Sequence, residues 1–72
     1  MDTEPLYSQL AAVLREAIAS GELAPRQMVP SETSIMGEQG VSRGTVRKAI
    51  GMLREEGLVV TLAGRGTFVR NP

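Results

Sequence analysis

The sequence predicts a small α+β domain that is mainly helical: three helices closed by a β-hairpin. Three observations carry this. An apolar stripe of helical period runs over residues 6–20 and ends at Gly21. A second helical pattern, residues 43–56, opens on Ser42 and stops at Gly57. Beyond it, β-branched residues flank Gly64-Arg65-Gly66, the pattern of two strands and a turn. Seventy-two residues make one domain, and a chain this short buries only about 60% of its unfolded surface. It has no Cys and no His, so neither a disulfide nor an ordinary zinc site supplements that core.

Taken in order, Asp2-Thr3-Glu4-Pro5 is the entry to the first helix, α1 (residues 6–20). Thr3 or Glu4 stands near the N-cap and Pro5 suits the first helical position. Leu6, Leu10, Val13, Leu14, Ala17 and Ile18 form the inward stripe. Gly21 is placed for the left-handed residue that ends a helix. Tyr7, the only Tyr, is expected to pack its ring, with its hydroxyl at the surface or on a phosphate.

Gly21 and Pro25 punctuate the connection that follows. Met28-Val29 suits a very short strand, stopped by Pro30. Ser31 reads as the N-cap of α2 (residues 32–38), with Glu32 favourably placed in its first turn. Ile35 and Met36 turn inward, and Gly37 weakens the helix by about 1 kcal/mol relative to Ala. Gln39-Gly40-Val41 is a tight turn, and Ser42 caps α3 (residues 43–56). Val41 and Val46 have the spacing of a hydrophobic staple. Val46, Ala49, Ile50 and Leu53 fall within an arc of roughly 100° and face the core. A short helix, a glycine-containing turn and a second helix make a helix-turn-helix. The hairpin, residues 58–70, completes a winged version of it. Phe68, the only Phe, is expected to fold back onto the core.

Charge narrows the function. The net charge is zero and the pI is about 6.2. The distribution is polarised: residues 1–40 carry two basic and six acidic side chains, and residues 41–72 carry six basic and two acidic. A small domain steers a charged partner this way without net charge. Catalysis has little to work with, since a nucleophilic Ser lacks its usual base and no pair of carboxylates has acid–base spacing. Gly64-Arg65-Gly66 lacks the Gly-Lys-Ser/Thr ending of a phosphate-cradling loop. The start, MDTEPLY, is not a signal peptide. No apolar run approaches the roughly 18 residues of a membrane span. The expectation is a soluble, cytoplasmic protein without cofactor or metal, and not an enzyme.

The first turn of α3 carries the candidate site. Arg43 and Arg47 lie one turn apart beside the inward stripe, and a guanidinium fork matches the O6/N7 edge of guanine in the major groove. Ser42 and Thr45 offer hydroxyls to phosphate or base edges, beside helix N-terminal amides that favour an anion. Gly44 lets the backbone come close to a duplex. Arg65, between two glycines at the hairpin tip, suits a narrow minor groove. Arginines on a solvated face are the ordinary alternative. A different class of function also fits: a protein–protein interaction module that uses the acidic N-terminal half. A steep fall of affinity with salt, measured on duplex DNA, separates the two.

Several elements in order resemble the N-terminal winged helix-turn-helix domain of the GntR family of bacterial transcription regulators. They are Pro5-Leu6-Tyr7-x-Gln9, Ile18-x-x-Gly21-x-Leu23-x-Pro25, Pro30-Ser31-Glu32, Val41-Ser42-Arg43-x-Thr45-Val46-Arg47-x-Ala49, Leu53-x-x-Glu56-Gly57-Leu58-Val59 and Gly64-x-Gly66-Thr67-Phe68-Val69. They cover essentially the whole chain. The resemblance implies binding to two-fold operators in double-stranded DNA as a homodimer, usually as a repressor. It places DNA contact at Ser31, Ser42, Arg43, Gly44, Thr45, Arg47, Arg65, Gly66 and Thr67. Most of the dimer contacts and the effector site belong, in the family, to a C-terminal domain that these residues do not include. Four positions depart from the family's pattern. Arg26 stands where Gly usually follows the Pro, and Thr33 where some members have a DNA-contacting basic residue. Gly44 replaces a Thr or Ala-like residue, and Gly37 replaces Ala.

Overall fold

The computed structural model describes residues 4–70. Thr3, one of the two residues expected near the first N-cap, lies outside them. The order is α1 (Leu6–Ser20), α2 (Glu32–Gln39), α3 (Arg43–Glu55), β1 (Val59–Leu62) and β2 (Gly66–Val69). Helix ends differ by one residue from the expected α2 and α3, within the usual fraying of a terminal turn.

The helices begin and end for local reasons. Ser31 and Ser42 are both extended N-caps, and each side chain accepts from the backbone N–H three residues on, Ser34 and Thr45. Each such cap contributes about 1 kcal/mol. Pro5 is the N-cap of α1 and offers no side chain for the purpose. There the Gln9 amide donates to the Glu4 carbonyl at 2.9 Å, and the Ser8 hydroxyl donates to the Glu4 carboxylate at 3.1 Å. Gly21 is left-handed, as expected (φ 87°).

One core sits between α1, α2, α3 and the inner face of the hairpin. Leu53, Val46 and Val59 are its largest fully buried side chains. Removing the Leu53 side chain beyond Cβ would cost about 2–5 kcal/mol, a large part of what a chain this size has. The stripe of α3 is buried as expected: Val46, Ala49, Ile50 and Leu53. Val41 packs against the same cluster from outside the helix.

The stripe of α1 is narrower than expected. Leu10, Ala11 and Leu14 are buried, whereas Leu6 and Val13 are 60% and 50% exposed. Ala11 faces inward where the pattern offered larger residues, because a small side chain lets α1 pack closely against its neighbours. Phe68 also departs from expectation. β1 and β2 pair antiparallel with Val59 opposite Val69 and Val60 opposite Phe68. Val59 and Val69 take the core face. Alternation then puts Phe68 on the outer face, half-buried beside Val60 and Leu62.

The short strand expected at Met28-Val29 is present as a bridge between Met28 and Phe68. Val29 N–H donates to Thr67 O at 2.8 Å, and Val69 N–H donates to Gln27 O at 2.9 Å. The hairpin therefore has a third short partner, which ties it to the α1–α2 connection. The Met28 thioether packs about Gly66, with Sδ 3.7 Å from where a Cβ would stand.

That connection contains a strained residue. Gln27 N–H donates to Ala24 O at 3.0 Å, closing a turn with Pro25 and Arg26 at its centre. Arg26 has φ 70°, alone among the described non-glycine residues in being left-handed. Proline followed by a left-handed residue is the signature of a type II turn, whose third position favours Gly. Left-handed geometry costs an L-residue roughly 1–2 kcal/mol, and a glycine loses about 0.4–1 kcal/mol through chain entropy. Arg26→Gly is therefore expected to stabilise the domain by about 0.5–1 kcal/mol in urea unfolding, while Arg26→Ala gains nothing. Equal stability of wild type and Arg26→Gly would refute the strain.

Candidate nucleic-acid interface

Burial of the α3 stripe leaves the opposite side of its first two turns in solvent. Arg43, Gly44 and Arg47 are exposed there, and Thr45 is half-buried. A Cβ added at Gly44 would meet nothing closer than the Ser42 hydroxyl at 3.9 Å. The domain itself has no steric need for glycine at that position.

The two arginines are held as a pair by a residue of the other helix. Glu32, in the first turn of α2, takes Arg43 Nη1 on one carboxylate oxygen at 2.9 Å and Arg47 Nε on the other at 3.1 Å. The Arg43 and Arg47 side chains remain 49% and 66% exposed. With Nε spent on Glu32, both terminal amino groups of Arg47 are free, and these form an end-on fork of donors. Sequence reasoning assigned Glu32 only to the helix dipole. The signal it missed was an acidic residue eleven positions before one arginine and fifteen before the other, a proximity that only the helix-turn-helix creates.

The hydroxyl candidates are already engaged within the domain. Ser31 Oγ accepts from Ser34 N–H at 3.1 Å and Ser42 Oγ from Thr45 N–H at 3.1 Å. The Ser42 and Thr45 hydroxyls also pair at 3.0 Å. Thr67 pairs with Thr61 across the hairpin at 3.0 Å. Each hydroxyl carries one donor and two acceptor sites, so a further bond is open to most of them.

The hairpin tip follows from its turn. Leu62 faces Gly66 across a three-residue loop, and Arg65 N–H donates to Leu62 O at 2.9 Å. Gly64 and Gly66 have φ of 74° and 127°, conformations that a side chain disfavours, so glycine on both sides lets Arg65 stand out in solvent. Between the tip and α3 lies a cleft of about 590 Å³, whose walls include Ser31, Glu32, Arg47, Arg54, Arg65 and Thr67. The structure thus brings Ser31, Arg47, Arg65, Gly66 and Thr67 of the expected set around one cleft. Ser42, Arg43, Gly44 and Thr45 lie on the adjoining end of α3. On the far side of α3, Lys48 Nζ stands 5.2 Å above the centre of the Tyr7 ring, which extends the basic surface to the start of α1.

Two hydrogen bonds from guanidinium groups hold the Glu32 carboxyl below the usual carboxylate range. Its folded pKa is depressed. Its contribution to stability is therefore complete above the unfolded value, roughly 4.3, and is lost as pH falls through the folded value. Glu56 behaves alike, because Arg15 grips both its oxygens at 2.8 and 2.7 Å.

A model of the family described as "Bacterial regulatory proteins, gntR family" matches residues 6–69. The mannosyl-D-glycerate transport/metabolism system repressor MngR of Escherichia coli (strain K12) is 44% identical over 70 residues, which are 97% of this chain and 29% of that protein. The HTH-type transcriptional repressor NagR of Bacillus subtilis (strain 168) is 46% identical over 68 residues, 94% of this chain and 28% of that protein. The chain thus spans under a third of the length of these relatives. A crystal structure of AraR(DBD) in complex with operator ORE1 is similar with a TM-score of 0.89 at 42% identity, covering 93% of this chain and 82% of that one. A structure of mutant ORR3 in complex with the NTD of AraR gives 0.90 at 40% identity, covering 96% and 99%.

The clamp on Glu32 has a direct readout. In an NMR titration of the side-chain carboxyls, Glu32 should titrate below the ordinary glutamate midpoint. The double substitution Arg43→Ala and Arg47→Ala should return it upward, while Glu56 stays low. A Glu32 midpoint that ignores the double substitution would remove the clamp.

Proposed function

Since the chain belongs to the gntR family of bacterial regulatory proteins, we propose that it reads an operator for a bacterial transcriptional repressor. Arg43, Thr45 and Arg47 meet base edges in the major groove, where Gly44 lets the backbone come close. Arg65 and Gly66 at the wing tip enter the adjoining minor groove. Ser31, Ser42 and Thr67 take phosphates. The function is binding alone, without cofactor or chemical step, and belongs in the bacterial cytoplasm where the chromosome lies. Among the described residues, no helix is long and apolar enough to cross a membrane.

The observation that carries the residue assignment is the pairing of Arg43 and Arg47 through Glu32 on the exposed end of α3. A free arginine loses about 2 kcal/mol of rotamer entropy when fixed, and here part of that ordering exists before DNA arrives. The printed names of MngR and NagR as repressors, and the operator complexes of AraR, support the same reading. Two such domains related by a two-fold axis meet half-sites about one helical turn apart. A single domain makes few phosphate contacts and has no avidity, so it binds weakly.

Selection of bound sequences from a random duplex pool, with the chain artificially dimerised, should return two-fold sites with guanine in each half-site. Arg47→Ala should then weaken binding to the selected site by about 1–3 kcal/mol and relax preference at one base pair. No enrichment would end the operator reading. Unchanged affinity and preference in Arg47→Ala would remove Arg47 from the readout.

A further inference from the structure

We propose that Arg54 is a DNA-contacting residue that holds, from α3, the sugar–phosphate strand passing between α3 and the wing, beyond which Arg65 enters the minor groove. The inference rests on the DNA-binding reading and extends it to a residue that neither the motifs nor the first turn of α3 single out. Arg54 follows Arg47 by seven residues, so the two lie within about 20° on the helix and about 10 Å apart along it. The major groove is only about 8.5 Å deep. With Arg47 at the base edges, Arg54 stands at the groove's rim, where the phosphates run.

Arg54 and Arg65 line the same cleft, one on the helix and one on the wing. Among the described residues, neither guanidinium has an ion pair or a hydrogen-bonded carboxylate. The carboxylate that lines the cleft, Glu32, is occupied by Arg43 and Arg47. Two uncompensated guanidinium groups therefore face one space. Its wall also includes the exposed apolar side chain of Met28. A phosphate flanked by deoxyribose matches that combination, with the anion on the Arg54 fork and the sugar on the apolar wall. The bland role for a cation in the last turn of a helix is to complement the helix dipole. That role predicts an effect on folding and none on the counterions released by DNA.

The test uses the dimerised chain on two duplexes of equal length, the selected site and a random sequence, each titrated over a series of salt concentrations. Arg54→Ala should lose about three- to tenfold affinity on both duplexes alike. Its log–log salt slope should be shallower by about one per protomer, and Arg54→Lys should restore the slope. Arg47→Ala, run in parallel, should lose mainly on the selected site. If Arg54→Ala keeps wild-type affinity and slope on both duplexes, the contact is wrong. A loss confined to the selected site, or a lowered melting temperature with an unchanged slope, overturns it equally. If the wild-type chain retains neither duplex, the DNA-binding reading falls and the Arg54 contact with it.

Discussion

Burial of one side of α3 is the constraint on which the rest depends. Val46, Ala49, Ile50 and Leu53 must leave water, and α1, α2 and the wing supply the surfaces that cover them. Once that face is committed, the rotation of α3 is set. Arg43, Gly44 and Arg47 then have only solvent, or a partner from solvent, to face. The staple from Val41 to Val46 and the Ser42 cap determine how the chain enters the helix. The geometry of the exposed face is thus a by-product of packing, and a cavity under α3 would disturb it without touching Arg43 or Arg47.

Glu32 links this packing to the electrostatics of the exposed face. Its carboxylate spans α2 and α3 and aligns two guanidinium groups in the absence of a nucleic acid. Exposed ion pairs contribute little to stability. The value of this one lies in order: it limits the arrangements of two long side chains at the exposed end of α3. It also keeps a negative charge beside the two guanidinium groups.

The wing is held from two sides. Its inner face is apolar, through Val59 and Val69, and its free edge is bonded to the residues before α2. This second attachment runs through the turn at Pro25-Arg26, so a strained residue distant from the candidate site helps to place the wing tip. Arg26 stands where the type II turn, and the family pattern noted in the sequence, would put Gly. The φ of 70° at that position supplies the physical reason for the glycine preference.

Most of the architecture was legible in residue order alone. Caps, stops and the stripe of α3 are local signals, decided by hydrogen bonds and spacing within a few residues, and they located every helix to within a residue. Arg43, Arg47 and Arg65 were legible as candidates because they are charged residues beside a buried stripe, on its solvent side, or at a glycine-flanked tip. Tertiary structure decided what depends on residues far apart. Which α1 side chains are covered depends on the neighbours that α1 meets, so Leu6 and Val13 stayed outside and Ala11 went in. Strand register, not hydrophobicity, chose Val69 over Phe68 for the core. The meeting of Glu32 with Arg43 and Arg47, and of Arg54 with Arg65 along one cleft, follows from how two helices and a hairpin pack, a three-dimensional fact with no local trace in the chain.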